Sequence, residues 1–291
     1  MTLPLVVGVD GSEPNGAAVD WAVDEAARHG VPLRFVYASL WVRYEAALPP
    51  TGSELTDERL LGRHILASAV ERARLRDPEV PVTADIVAED AAAALVSAGD
   101  HAYALVTGSR GRGELGELLL GSVGLAVAAR ARCPVVVVRG DPAAVGGTRG
   151  RILLGLGDPG TSAEAVRFAF REAEARGCVL DVVHAWRSPA HLAPGEGAGP
   201  EGPAHSPGRH AFAVLDEALG DASAAHPRVR TRRTAAEGPA GRILVDRSAD
   251  ADLVIVGARR RTGHFGLQLG RVSHRLLHHA RCPVAIVPHR M

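Results

Sequence analysis

The sequence predicts an α/β fold built as two tandem, doubly wound, five-stranded parallel-sheet domains, and three observations carry that reading. First, the chain is one unit written twice. Gly8, Val19, Trp21 and Ala38 recur as Gly155, Val166, Phe168 and Ala185 at an offset of 147, and Gly108, Cys133 and Pro134 recur as Gly257, Cys282 and Pro283 at an offset of 149. A period that long is no solenoid, so each copy is a domain, at 1–140 and 150–291. Second, continuous apolar runs alternate with helical patterns, as parallel strands buried on both faces require. Third, the fourth apolar run of the first copy ends in a glycine-rich loop.

In the first copy, Leu3 to Val9 reads as a strand, and Asp10-Gly11-Ser12 turns the chain. Ser12 is a candidate N-cap, with Pro14 in the first turn of a helix that runs to His29 and stops at Gly30. Ala18, Trp21, Ala22 and Glu25 are spaced for one amphipathic face of it. A strand (33–38), a helix (55–75), a strand (82–87), an alanine-rich helix (90–98) and a strand (103–107) follow. A helix at 122–132 and a strand at 135–138 complete the unit. Residues 139–150 are rich in Gly, Pro and Ala and read as the linker. The second copy repeats the order with strands at 151–156, 179–185, 229–235, 253–257 and 284–287 and helices at 161–176, 211–224, 240–248 and 271–280; 187–210, rich in Pro, Gly and His, reads as a loop.

The loop after the fourth strand reads G-S-R-G-R-G-E-L-G-E-L-L-L-G-S-V-G, with Gly108, Gly111 and Gly121-Ser122 in the pattern G-x2-G-x9-G-S. The chemistry suits a phosphate chain. Glycines without Cβ let backbone N–H groups approach an anion, and the last glycine and serine deliver it to a helix N-terminus. Ser122 reads as the N-cap, or as a hydroxyl donor to a phosphate oxygen. In a doubly wound sheet, ligands bind at the carboxyl ends of the strands near the switch point. That point lies between strands one and four, where Asp10 and Gly108 end their strands. The segment 111–116 also fits G-x-G-x-x-G. A dinucleotide fingerprint must open a helix directly after the first strand of a βαβ unit, so this match is rejected.

With V-V-G-V-D-G-S upstream (6–12) and C-P-V-V-V-V-R downstream (133–139), the chain resembles the universal stress protein family over nearly its whole length. The resemblance implies an adenine nucleotide alpha hydrolase-like, Rossmann-like fold and, for members with this glycine motif, ATP as ligand. It implies that Asp10 reaches the adenosine part of the nucleotide, that the backbone around Ala38 contacts adenine, and that Gly108, Ser109, Arg110, Gly111, Gly121, Ser122 and Val123 line the phosphate site, with Arg112 in the same loop. Asp10 capping the first helix, and Arg110 and Arg112 facing solvent, are the plainer alternatives. Mg²⁺ is a possible companion of ATP, and AMP or cyclic AMP are less favoured ligands. Single-domain relatives dimerise through the last strand, so the strands at 135–138 and 284–287 are expected to pair within this chain as a pseudo-dimer. A further homodimer and a regulatory protein partner are also expected.

The second copy departs from the motif. Gly257 and Gly270 align with Gly108 and Gly121, but Arg260 and Arg271 replace the second glycine and the serine, and Gly157 stands where Asp10 would be, beside Asp158. Nucleotide binding there is an open question. His274, His278 and Cys282 fall at i, i+4 and i+8, but Cys282 repeats Cys133 in an R-C-P-V context, so packing is preferred to a metal site.

Composition narrows the function. All 33 basic residues are arginine, which excludes a Walker-type lysine and any catalytic lysine. Formal net charge is zero, but 13 Arg stand against 19 acids in residues 1–145 and 20 against 14 in the rest, so the halves carry about −6 and +6. Aromatics are 4%, and no basic run is interleaved with them, so nucleic acid is not an expected partner. No apolar run reaches the roughly 18–20 residues of a membrane span, and 1–10 does not read as a secretion signal. A cytoplasmic protein is expected. The leading function is an ATP-binding sensor or regulator of a stress response, not an enzyme, with slow ATP hydrolysis left open. A nucleotide-free interaction module and a weak ATP-hydrolysing or adenylating enzyme are the alternatives; S-G-G-x-D-S and H-x-G-H motifs, which the latter would need, are absent.

Overall fold

The computed structural model describes residues 2–40, 53–109, 121–157, 159–187, 207–258, 261–263 and 266–289. The first half runs β1 (Leu5–Gly8), α1 (Glu13–His29), β2 (Leu33–Ala38), α2 (Ser53–Arg76), β3 (Val82–Val87), α3 (Ala91–Gly99), β4 (Ala104–Gly108), α4 (Ser122–Arg130) and β5 (Val135–Val138). A four-residue helix, α5 (Pro142–Val145), lies between the halves. The second half runs β6 (Arg151–Leu156), α6 (Pro159–Arg176), β7 (Val179–Trp186), α7 (Pro207–Ala225), β8 (Arg230–Glu237), α8 (Ala240–Arg247), β9 (Leu253–Ala258), a hairpin of β10 (Arg261–Gly263) and β11 (Gly266–Gln268), α9 (Arg271–His279) and β12 (Val284–Pro288).

Ten strands form one sheet in the order β3-β2-β1-β4-β5-β12-β9-β6-β7-β8. Every neighbouring pair is parallel except β5 and β12, which run antiparallel with Val284 opposite Val137 and Ile286 opposite Val135. The expected pairing of the two final strands inside one chain is therefore present. In each half the order reverses between the first strand and its fourth, β1/β4 and β6/β9, which makes those crevices the switch points.

Alternation along the strands divides the core into two layers that both cross the seam. Leu5 and Val7 of β1 pack with α1, α2, α6 and α7 on one face. Val6 faces the other way, with residues of α3, α4, α8 and α9. Neither half keeps a core to itself.

The local chemistry of the elements follows the sequence closely. Gly30 ends α1 in the left-handed region at φ 60°, donating its N–H back to Ala26 and Ala27 carbonyls. Asp90 caps α3 by accepting from the Ala92 and Ala93 N–H groups. Gly8 and Gly155 are repeat-mates with one packing duty: a Cβ on either would lie 2.8 or 2.6 Å from Leu95 or Leu244, also repeat-mates.

Three features differ from the sequence reading. The linker contains a helix, because Asp141 accepts from Ala144 N–H at 2.9 Å and Pro142 opens the turn. The β10–β11 hairpin stands where the sequence pattern indicates no strands. The residue capping α4 is Gly121 and not Ser122, which is the first helical residue.

Candidate functional site

The site is assembled by strand register. In β1, Leu5 is level with Leu33 of β2 and with Ala104 of β4. Continuing that register past the ends of the strands brings Ala38, Asp10 and Ser109 into one row across the mouth of the β1/β4 crevice. Three residues drawn from distant parts of the sequence thus meet at the switch point.

Each is held by its own local chemistry. Asp10 Oδ1 accepts from the Ser12 N–H at 2.9 Å and from the Ser12 hydroxyl at 2.7 Å, a tight Asx-type turn. Ser12 occupies the N-cap position of α1, but its hydroxyl is given to Asp10 and makes no cap bond. Gly11 sits at φ 76° with Ile65 of α2 against it, so a Cβ would be both strained and 2.8 Å from that side chain. Asn15 reaches back to donate to the Gly8 carbonyl at 2.9 Å, tying the start of α1 to the end of β1. Beyond Ala38, the Ser39 hydroxyl and the Tyr37 hydroxyl both donate to Glu58 Oε1, at 2.9 and 2.6 Å, which fastens the end of β2 to α2.

The glycine-rich loop leaves and returns at one point. Ser109 N–H donates to Val138 O at 3.0 Å, and Gly121 N–H donates to Ser109 O at 2.9 Å. Arg110, Gly111 and Arg112 lie outside the described residues. Gly121 is extended at φ −59° and ψ 141°, then α4 begins, with Ser122 exposed in its first turn and Val123 half-buried. The N-terminal turn of α4, with its unpaired N–H groups, therefore opens beside Ser109. Directly before Gly108, Thr107 carries a buried hydroxyl for which the described residues supply no hydrogen-bond partner.

The second half builds the same frame with different contents. Register places Gly157 level with Ala185 and Ala258, the row that Asp10 occupies in the first half. Arg271 is the exposed first residue of α9, as Ser122 is of α4. Arg260 and Asp158 lie outside the described residues. Of the residues weighed as metal ligands, His274 and His278 bring their rings together at a tilt of 37° with centroids 4.4 Å apart, and Cys282 is fully buried.

A second constellation escapes a reading of the sequence. Glu25 of α1 and Glu172 of α6 are 2% and 0% exposed and face each other where the two helices meet. His29 Nε2 lies 3.1 Å from Glu172 Oε1 and 3.4 Å from Glu25 Oε1. Arg176 Nη2 donates to Glu25 Oε2 at 2.6 Å, and its Nε lies 3.4 Å from Glu172 Oε2. Arg28 also donates to Glu25, and the Tyr103 hydroxyl lies 3.3 Å from Glu172. Burial, and then the negative charge of Glu25, push the Glu172 carboxyl up to about 7. Burial also opposes ionisation of Glu25, but Arg176, His29 and Arg28 outweigh it and hold that carboxyl well below the usual range. Burial alone would depress His29; the two carboxylates overcome it and raise it to about 9. The only signal in the sequence is a glutamate on the apolar face of α1, repeated 147 residues on.

Comparison with known proteins accords with this architecture. A sequence profile of the Universal stress protein family matches residues 1–139 and again 148–288. A universal stress protein of Mycobacterium tuberculosis is 34% identical over 296 residues, covering 97% of this chain and 96% of its own. Another from that organism is 32% identical over 294 residues, covering 98% and 96%. Among solved structures, a universal stress protein from Archaeoglobus fulgidus superposes with a TM-score of 0.72 at 16% identity, over 98% of both chains, a likeness of fold. With two family matches laid end to end, 34% identity to a named member over nearly the full length and the fold to match, the chain belongs to the universal stress protein family.

Proposed function

We propose that this protein is a nucleotide-dependent regulator of a stress response, working in the cytoplasm, and that its first half binds ATP. The observation that carries the reading is the convergence of Asp10, Ala38, Ser109 and the N-terminus of α4 on one crevice. The residues present suit the ligand. A carboxylate at Asp10 matches ribose or base donors, the N–H groups of α4 suit an anion, and the Thr107 hydroxyl, without a partner among the described residues, adds a buried polar group directly before Gly108.

The chemistry favours binding over turnover. With no lysine in the chain, phosphate charge is left to backbone amides, hydroxyls and arginine, a set that holds a nucleotide without an evident base to activate water. The second half has glycine where the first has Asp10 and arginine where the first has Ser122, so one nucleotide per chain is the expected stoichiometry. A homodimer and a protein partner that reads the bound state complete the proposal.

The test is calorimetric titration of ATP, with and without Mg²⁺, into intact protein stripped of ligand, beside Gly121→Asp. That variant puts a carboxylate where phosphate would sit. One site, abolished by the variant, supports the reading; two sites mean the second half also binds. No binding by folded protein overturns it in favour of a nucleotide-free interaction module, and displacement of ATP by cyclic AMP would identify the competing ligand.

A further inference from the structure

The buried cluster between α1 and α6 has an origin in the repeat. Glu172 is Glu25 displaced by 147, Arg176 is His29 displaced by 147, and Phe168 is Trp21 displaced by 147. A local two-fold axis therefore runs between the helices, and at such an axis each residue meets its own counterpart. Two carboxylates are forced together where no water reaches, and like charges in a dry site cannot both ionise without compensation. Two arginines would supply it symmetrically. Here one of the two positions holds histidine, so part of the compensation is itself titratable.

We propose that Glu25 and Glu172 form a proton-binding site at the junction of the two halves, holding one shared proton whose loss loosens the contact between α1 and α6. Among the described residues, the groups facing the pair come from three elements and their ends. Arg28 and His29 come from α1, and Arg176 from α6. Tyr103 directly precedes β4 and lies under the Arg171 guanidinium, 5.8 Å from its ring. Cys178, just past α6, is close enough to interact with Arg176. Arg176 also lies over the Trp21 ring at 5.7 Å, so it is packed in place between the halves.

The direction with pH follows from the groups. Glu172 is raised above its ordinary 4.5, so its contribution is whole below that pH and is lost as pH climbs through about 7. His29 is raised above its ordinary 6.5, so its contribution is whole below that pH and is lost through about 9. Both losses run the same way, and the junction weakens steadily from mildly acidic to alkaline conditions. Glu25, held low, contributes in full above its ordinary 4.5 and loses that share as pH falls below it, the opposite direction and outside the window of the other two.

The experiment is a pH titration of the intact protein by isotope-edited infrared spectroscopy of glutamate carboxyls, with unfolding midpoints in denaturant measured across the same range. The expected result is a neutral-acid C=O band in wild type on the acid side, bleaching with a midpoint near 7, absent from Glu172→Gln. The unfolding midpoint falls with rising pH, and Glu172→Gln flattens the part of that fall below neutrality. In Glu25→Gln the remaining carboxyl loses its neighbouring charge, and its band bleaches at lower pH. A wild-type protein with no such band down to about pH 5, or a band that Glu172→Gln leaves in place, overturns the proposal. The wild-type titration alone decides the matter should either variant fail to fold.

Discussion

At Gly140 the first half's backbone passes so near Arg281 of the second half that no Cβ fits, and replacing it with alanine isolates the cost of that approach. It lies at φ 98°, and a Cβ built there would sit 2.2 Å from the Arg281 carbonyl oxygen and 2.4 Å from its carbon. The obstructing atoms are main chain and cannot rotate aside. Holding a non-glycine residue at such a φ costs about 1–3 kcal/mol. Relieving the clash pulls the strand exits apart and gives up the hydrogen bond from Asp141 N–H to Arg281 O, 3.3 Å long, worth ~1 kcal/mol. Repacking of the seam adds to this, for a total of roughly 3–5 kcal/mol. Gly30→Ala is the internal control. That residue has φ 60° and nothing within 4 Å of where its Cβ would stand, so it incurs the backbone cost alone, about 1 kcal/mol. The assay is denaturant unfolding followed by circular dichroism, with both variants beside wild type. If Gly140→Ala shifts the midpoint no further than Gly30→Ala, the two halves are not held at this contact, and the close approach is not what locks the seam.

Other outcomes follow from single contacts. Gly155→Ala, whose Cβ would meet Leu244 at 2.6 Å and Val256 at 2.9 Å, should cost about 1–3 kcal/mol by overpacking, read by thermal unfolding. Glu58→Ala leaves the Tyr37 and Ser39 hydroxyls without their shared acceptor, and ATP affinity measured by calorimetry should fall several-fold as the end of β2 loosens, with Asp10→Asn weakening binding further. Cys133, Cys178 and Cys282 are all buried, and burial raises the Cys178 thiol and pushes the Cys282 thiol up to about 12. A thiol reagent near pH 8 should therefore label none of them until denaturant is added; rapid labelling of native protein would show that the core opens. Asp141 is held below its ordinary 3.8 by the Ala144 N–H and by Arg149, so its share of stability is present above that pH and fades as pH falls below it. Asp141→Ala should flatten that acid limb in a pH series of unfolding midpoints.

Much of the fold is legible because the strands are continuous apolar runs and the helices carry their own stops. Gly30 stops its helix in space as its residue type predicts, and the antiparallel seam at 135–138 and 284–287 follows from writing one unit twice. The crevice is legible too, since Asp10 and Gly108 end strands that the topology makes neighbours. Capping is less so: Ser12 and Ser122 have the right chemistry, but the Ser12 hydroxyl is taken by Asp10, and Gly121 adopts the extended backbone of the cap. The linker helix rests on a single Asx cap, too short a signal to stand out from a Gly and Pro-rich stretch. The glutamate cluster is hidden for a different reason. One charged residue on an apolar helix face looks like an irregularity until its repeat-mate is brought against it by a contact 147 residues away.

The reversal of strand direction at β5 and β12 gives the molecule two opposed poles. The crevice of the first half opens at one end of the strands, and its counterpart, with Gly157 and Arg271, opens at the other. A body seated over one crevice therefore leaves the other uncovered, because the two mouths face opposite ways along the strands. Between them lies a ten-strand plank with shared core on both faces.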